Sequence, residues 1–422
     1  MDHRSGDVEN RRGVQEVIGD KFGDPKTRPR QAAVIAVLTA TMALAMLPPF
    51  ALGALGPYLV EDLGVPRAAL GTAVGATYAA AALLSPTLGR LVDSRRARSS
   101  LAALLACSSA AFAALSLAPD FTWLVGLATL GGIAAAASNP VTNKLVSSVI
   151  SERRRGLVIG VKASGVQVGA VLAGLLLPVA AGAFGWRAAL QLVAAASLGL
   201  LITGLWVLPA GRQRHKEKRG PRPSLPGPVL RLAAYTFFVG GGLSAAIAYL
   251  PLYADEALGL DGAVGGAVLS ALGAGGLLSR PVWGYLSDRT GRVGAVLVGL
   301  AGAAVFSALL IWGAGANGTW ALWAGALGLG ASASAWNAVA LLAAVKEAGP
   351  DLAGYASGVV SSGFFAGFVL GPPAFGLALG AAGAYGIGWA LVGGQFALAA
   401  AVVLARPQSK PRPSPHVSGS DR

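Results

Sequence analysis

Residues 68–98 read AALGTAVGATYAAAALLSPTLGRLVDSRRAR, a run of about two dozen small and apolar residues ending in a connector with Asp93, Arg95, Arg96 and Arg98. Crossing about 30 Å of hydrocarbon takes roughly 20 apolar residues wound as a helix, because only an internally hydrogen-bonded backbone can leave water. Residues 68–91 meet that length. Working outward, Gln31 to Tyr58 and Ser100 to Pro119 qualify on either side. Nine more runs follow, near 121–149, 157–182, 187–209, 229–254, 262–287, 293–313, 319–345, 354–380 and 384–405. The chain is therefore expected to be an all-α integral membrane protein of twelve transmembrane helices. Composition agrees: 54% hydrophobic and 12% charged residues, with a mean hydropathy of +0.62, exceed what a water-soluble fold can hide.

The net charge of +14 would point to nucleic acid in a soluble protein. Here 28 of the 33 basic residues fall in the first 30 residues, the even-numbered connectors and the C-terminal segment, while the odd connectors carry only Arg67 and Arg187. The positive-inside rule then puts both termini and the central connector in the cytoplasm. The expected surroundings are a lipid bilayer, the plasma (inner) membrane, with no nucleic-acid partner. The polar segment 1–30 is no recognisable signal or transit peptide and reads as a disordered cytoplasmic tail. A lone Cys107 in the third span allows neither an internal disulfide nor a cysteine metal cluster.

The Pro-, Arg- and Lys-rich segment 210–228 divides the chain into six-helix halves at 31–209 and 229–405, with 406–422 as a second cytoplasmic tail. At a shift of 195 residues Pro86, Gly89, Leu91 and Asp93 fall on Pro281, Gly284, Leu286 and Asp288. At a shift of 198, Asn139, Gly156, Ser164, Gly165 and Gly169 fall on Asn337, Gly354, Ser362, Gly363 and Gly367. The halves read as parallel repeats, an arrangement in which a midplane site opens to either side by rocking.

The loop after span 8 reads Gly284-Tyr-Leu-Ser-Asp288-Arg289-Thr-Gly291-Arg292, and Gly89-Arg-Leu-Val-Asp93-Ser-Arg95-Arg96 is a weaker copy after span 2. With the twelve spans, this resembles the major facilitator superfamily over about 31–405. The resemblance implies its fold of two six-helix pseudo-repeats and a gating role for Gly89, Asp93, Arg95, Gly284, Asp288, Arg289, Gly291 and Arg292. Asp93 would meet the start of span 11 near Gly354, and Asp288 the start of span 5 near Gly156. Each carboxylate would face the positive end of a helix and hold the cytoplasmic side closed while the outer side is open. The first copy has Arg96 in place of the second Gly, which puts its tight turn in question. Gly160, Gly165, Gly169 and Gly174 in span 5, with Gly363, Gly367 and Gly371 in span 11, offer faces for close helix packing.

Three basic residues remain within spans: Lys144, Lys162 and Arg280. No carboxylate or histidine lies at comparable depth. Such cations cost about 2.5–3.5 kcal/mol each at a helix centre, so they face a watery cavity, await an anion or snorkel to the interface. The lysines lie within roughly 9–11 Å of the cytoplasmic ends, close enough to snorkel, at 1.5 Å per residue. Arg280 can bind a carboxylate at two points. Arg280-Pro281-Val-Trp-Gly284 is similar to the span-8 segment of monocarboxylate and oxalate/formate transporters, whose substrate-binding Arg lies there; Gly276 stands where the monocarboxylate group has an Asp. Asn139, Asn143, Gln167, Trp336 and Asn337 could complete a site or make interhelical bonds. Tyr58, Tyr249 and Tyr253 read as interfacial belt.

The expected function is a secondary active transporter moving a small-molecule substrate, an organic anion such as a monocarboxylate, by alternating access. The binding residues expected are Arg280, Lys162, Lys144, Asn139, Asn143, Trp336 and Asn337. The alternative is an efflux carrier for a neutral or acidic drug or natural product. No phosphate-binding G-x-x-x-x-G-K-[ST] loop is present, so the drive would be a coupled proton or a counter-anion. No enzymatic constellation, cofactor motif or metal-ligand cluster is visible, and the chain is read as a monomer.

Overall fold

The structure, a computed structural model, describes residues 28–150, 152–208, 226–348 and 353–405. The expected tails and most of the central linker lie outside these residues, as do the side-chain surroundings of Asp93, Asp288 and Asn337 and the contacts of Gly284. Every described element is a helix. Spans 2, 3, 4 and 6 are Leu70–Ser94, Ala97–Ser116, Phe121–Val149 and Trp186–Val207, and spans 7, 8, 9, 11 and 12 are Gly227–Glu256, Gly262–Thr290, Val293–Trp312, Ala353–Ala382 and Tyr385–Leu404. Three spans are interrupted. Span 1 bends by 54° between Gln31–Ala45 and Pro48–Ala54, and Gly56–Leu63 continues it. Span 5 is Glu152–Ala163 and Gly165–Phe184, loosened at Ser164. Span 10 is split at Ser334-Ala335 into Thr319–Ala333 and Trp336–Ala348.

Among the described residues ten helices are long and apolar enough to span on their own, and the bent pair makes eleven. Span 10 completes the twelve, its 15- and 13-residue pieces each being too short alone.

Local chemistry sets the ends. Asp120 accepts from the amide of Trp123 at 3.0 Å and Asp261 from that of Ala263 at 2.6 Å, satisfying first-turn donors of spans 4 and 8. Span 8 stops at Gly291, whose φ of 60° only glycine adopts cheaply. At the matching loop, Arg95 and Arg96 leave span 2 in extended conformation with φ of −105° and −68°. The repeat thus lacks the tight turn there, as the missing glycine foretold.

The halves meet along two antiparallel seams, span 5 on span 8 and span 2 on span 11, with the nearly wholly buried span 7 beside them. The end carrying the even-numbered connectors, read above as cytoplasmic, is here called inner. Small residues bring the outer halves of the seams to backbone contact: β-carbons at Gly174 and Gly266 would lie 2.2 and 2.3 Å from each other's carbonyl oxygens. A β-carbon at Gly71 would lie 2.2 Å from the carbonyl oxygen of Pro372. Following the span 5–8 seam inward, Ser270 Oγ donates to the carbonyl of Val171 at 2.7 Å, Gly276 meets Gln167, and Arg280 reaches Ala163. The span 2–11 seam runs from Ala68 and Gly376 to Tyr78, whose ring meets those of Phe368 and Phe365 at 4.4 and 6.3 Å.

Inward of these points the seams part. Gly160 and Gly358 have no atom of the described residues within 4 Å of a β-carbon position, and Ile159 and Leu83 are exposed. Among the described residues the halves are therefore closed against each other at the outer end and parted toward the inner end. The contacts expected of Asp93 and Asp288 with the starts of spans 11 and 5 lie outside the described residues.

Candidate functional site

Arg280 sits where the span 5–8 seam ends. Its Nη1 donates to the carbonyl of Ala163 at 3.3 Å and its Nε to that of Ser334 at 3.4 Å. Both acceptors belong to irregular backbone. The amide of Gln167 bonds the carbonyl of Ser164, three residues back, which frees the Ala163 carbonyl for the guanidinium. Ser334 lies in the break of span 10. A guanidinium has five N–H donors, and these two contacts are long for charge-assisted bonds, which run at about 2.7–2.9 Å. Among the described residues no carboxylate accompanies them. Gly276 is one turn away; a β-carbon there would lie 2.8 Å from both Gln167 Nε2 and the β-carbon of Ser334. The bare glycine thus lets Gln167 and Ser334 close over it. Gln167 Oε1, Ser334 Oγ and Ser279 Oγ are buried without a hydrogen-bond partner.

Trp336 begins the inner piece of span 10 and stacks on Phe364 of span 11, ring centroids 4.4 Å apart. Phe364 continues to Phe368 and Phe365 at 4.5 and 5.9 Å, and through them to Tyr78 of the other half. An aromatic wall with half-buried Phe364 and Phe365 therefore flanks the inner opening. Trp283 holds span 8 to span 10, donating to the carbonyl of Ala331 at 2.9 Å.

Lys162 is 1% exposed and turned away from the seam. Its Nζ donates to Thr142 Oγ1 at 2.7 Å and Asn139 Oδ1 at 3.3 Å, both on span 4. Asn139 and Asn143, one turn apart, are exposed at membrane depth. Amides facing hydrocarbon would be costly, so this face lines the opening between the halves. Lys144 is elsewhere: it donates to the carbonyl of Val92 at 2.7 Å and to that of Arg95, capping the inner end of span 2. The structure thus joins Lys162 to Asn139 and places Arg280 on the carbonyl next to Lys162, but Lys144 is not part of that group.

The three tyrosines expected in an interfacial belt are instead ties between helices, because their hydroxyls meet backbone groups in a packed region. Tyr249 is wholly buried; its hydroxyl donates to the carbonyl of Ala68 and accepts from the amide of Gly71, both at 2.9 Å and both across the halves. Tyr253 donates to the carbonyl of Ile311 at 3.1 Å, and Tyr58 to that of Pro178 at 3.1 Å. Beside Tyr249, Arg67 pairs across the halves with Glu256 at 2.8 Å, and Tyr385 donates to the same carboxylate at 2.7 Å. Thr142 and the Ser334 carbonyl were not singled out from sequence. Thr142 follows Asn139 by three residues, the one signal that could have found it.

A cleft of about 880 Å³ between spans 1, 5 and 6 is aliphatic except for Thr39 and Thr203, whose hydroxyls bond their own helices, so it offers an anion nothing. Gly89, expected to serve the gate, has no described atom within 4 Å of a β-carbon position, and Arg289 and Arg292 are exposed at the inner end.

Solved structures with this architecture include a bacterial homologue of the human lysosomal transporter Spinster, inward-facing and unoccupied. It has a TM-score of 0.74 at 17% identity, covering 90% of this chain and 97% of that one. The peptide transporter POT in complex with sulfate gives 0.70 at 13% identity, covering 88% and 93%. Among characterised sequences, a gallate transporter of Pseudomonas putida is 29% identical over 185 residues, 43% of this chain and 40% of its own length. A multidrug resistance efflux pump of Streptococcus pneumoniae is 25% identical over 249 residues, 56% of this chain and 62% of its own. The matches thus span less than two thirds of either relative. A sequence profile of the Major Facilitator Superfamily matches residues 33–372, and with the twelve spans and paired seams described here the chain belongs to that superfamily of membrane transporters.

Proposed function

We propose that the protein is a secondary active transporter of a small organic anion, a monocarboxylate, which it carries by rocking its halves, 31–209 and 229–405, about the seams. The inner end would face the cytoplasm and the membrane would be the plasma membrane. One observation carries the reading: the Arg280 guanidinium lies between the halves, held by two long bonds to backbone carbonyls and by no carboxylate among the described residues. A cargo carboxylate would supply the shorter, charge-assisted bonds that the carbonyls do not. Ser334, whose carbonyl Arg280 holds, has an unpartnered hydroxyl, as has Ser279, the residue before Arg280, and Trp336 and Phe364 offer an aromatic face. The partial likeness to a gallate transporter fits, gallate being a carboxylate on an aromatic ring.

The partial likeness to a multidrug efflux pump favours a second reading, export of a neutral or acidic compound. Thermal melting of the detergent-solubilised protein with benzoate, gallate, pyruvate and a neutral hydrophobic drug separates the two. A ligand at a hundred times its Kd stabilises the folded form by about 2.7 kcal/mol. Under the anion reading the carboxylates raise the Tm, and Arg280→Lys weakens their affinity about ten- to a hundredfold by replacing a planar fork with a point charge. A shift given by the neutral drug alone, unchanged in Arg280→Lys, would instead establish the export reading.

A further inference from the structure

We propose that Lys162 is the proton-carrying group of this transporter, and that it takes up a proton when an anion binds at Arg280. This rests on the anion reading above and goes beyond it to the coupling. The geometry is specific. Lys162 is sealed from water and meets two neutral oxygens. The Thr142 hydroxyl proton is already given to the carbonyl of Ser138 at 2.7 Å, so its oxygen can only accept from Lys162. Two acceptors satisfy a free amine but leave one N–H of an ammonium, and its charge, without a partner.

The surrounding charges are few. From span 4, besides Asn139 and Thr142, Lys144 turns away to the end of span 2. From span 1 the neighbours are Met42, whose sulfur lies 3.6 Å from Thr142 Oγ1, and the backbone of Thr39 against Gly165. From span 8 comes Arg280, whose guanidinium holds the carbonyl of the very next residue, Ala163. Among the described residues no carboxylate or histidine faces Lys162. Arg280 is therefore the cation that Lys162 has across the seam, held on the adjoining residue's carbonyl while Nζ itself points away to span 4.

That arrangement makes the two groups antagonists until an anion arrives. With Arg280 bare, a proton on Lys162 adds a second cation behind the seam, where no described carboxylate offsets the first. An anion on the guanidinium removes that repulsion and favours the ammonium. By reciprocity, the protonated lysine favours the anion by the same factor. Asn139, exposed toward the opening and 3.3 Å from Nζ, marks the path by which the proton meets water. One anion and one proton then cross together, without net charge.

The test is the affinity of the purified protein for benzoate, which stays anionic across the range, measured at pH 6 to 9. Uptake of one proton per anion makes the Kd of the wild type rise up to tenfold per pH unit on its alkaline limb. Lys162→Arg, which does not titrate, and Lys162→Met, which carries no charge, should both bind with a pH-independent Kd, with Tm confirming that each is folded. In proteoliposomes an inward proton gradient should drive benzoate accumulation by the wild type and not by Lys162→Arg. A flat wild-type profile, or a slope that persists in either variant, overturns the proposal while leaving anion transport standing. No binding of benzoate or other carboxylates by folded wild type overturns both.

Discussion

Replacing Tyr249 by Phe deletes one oxygen and with it two bonds between the halves. The hydroxyl is wholly buried, donating to the carbonyl of Ala68 and accepting from the amide of Gly71, each at 2.9 Å. In the present conformation the variant leaves that half-buried carbonyl and that buried amide without this partner, at up to about 1–3 kcal/mol each. In the conformation open at the outer end, water would satisfy both. The difference, about 2–4 kcal/mol after allowing for relaxation, shifts the balance roughly 30- to 1000-fold toward the outward-open state. Spin labels on cysteines at Trp123 and Trp320, exposed outer-end residues of opposite halves, report it in a Cys107→Ser background. Without cargo, the long-distance population should grow in Tyr249→Phe. Arg67→Ala should do less, because an ion pair with its arginine half exposed is worth about 0–1 kcal/mol. Distance distributions for Tyr249→Phe that superimpose on wild type would refute the claim that this hydroxyl holds the outer seam.

Gly367→Ala should lower the Tm, since its β-carbon would lie 2.0 Å from the carbonyl oxygen of Phe237 and force spans 7 and 11 apart, at about 1–3 kcal/mol; an unchanged Tm would show that the two helices yield freely. Lys144→Met should cost about 1 kcal/mol by uncapping the end of span 2 and leave benzoate affinity within twofold, whereas a tenfold weaker Kd at unchanged Tm would return Lys144 to the cargo site. At the outer surface, Trp186 and then Arg187 hydrogen-bond to Asp62 and hold its carboxyl below its ordinary value. A carboxyl depressed on folding stabilises above its unfolded value and loses that contribution as pH falls through the folded one. The Tm gap between wild type and Asp62→Asn should therefore be present at neutral pH and close in the acid range below the ordinary carboxylate value; a gap that widens toward acid would reverse the assignment.

The spans were legible because hydrocarbon thickness imposes a length and lipid imposes apolarity, both local properties of the chain. Close-packing glycines such as Gly165 on span 1, Gly174 on span 8 and Gly367 on span 7 were legible too, since helices that touch by their backbones admit little else. Gly160 shows the limit: it is the same residue in the same span, yet no described atom packs against it. Lys144 and Lys162 looked alike in sequence, both cations a few turns from an inner end. Only the neighbours tell them apart, helix-end carbonyls for one and a sealed Asn–Thr pair for the other. Tyr249 read as belt because ring and depth fit, and nothing local reveals that a turn 178 residues away needs its hydroxyl. Arg280 stood out because a guanidinium within a span, with no carboxylate nearby in the chain, is rare whatever surrounds it.

The backbone-to-backbone glycine contacts at the outer end bear on where the membrane voltage acts. A seam too tight for water is an insulator, whereas a wet vestibule conducts, so the potential drop falls almost wholly across the outer half of the protein. In this state Arg280, at the vestibule roof, is then at nearly the inner potential. Rocking to the opposite state would carry it through most of the field, a displacement worth about 2.3 kcal/mol per charge at 100 mV. Stepping the voltage across cargo-free protein should therefore draw a brief capacitive current, and Arg280→Gln should shrink it.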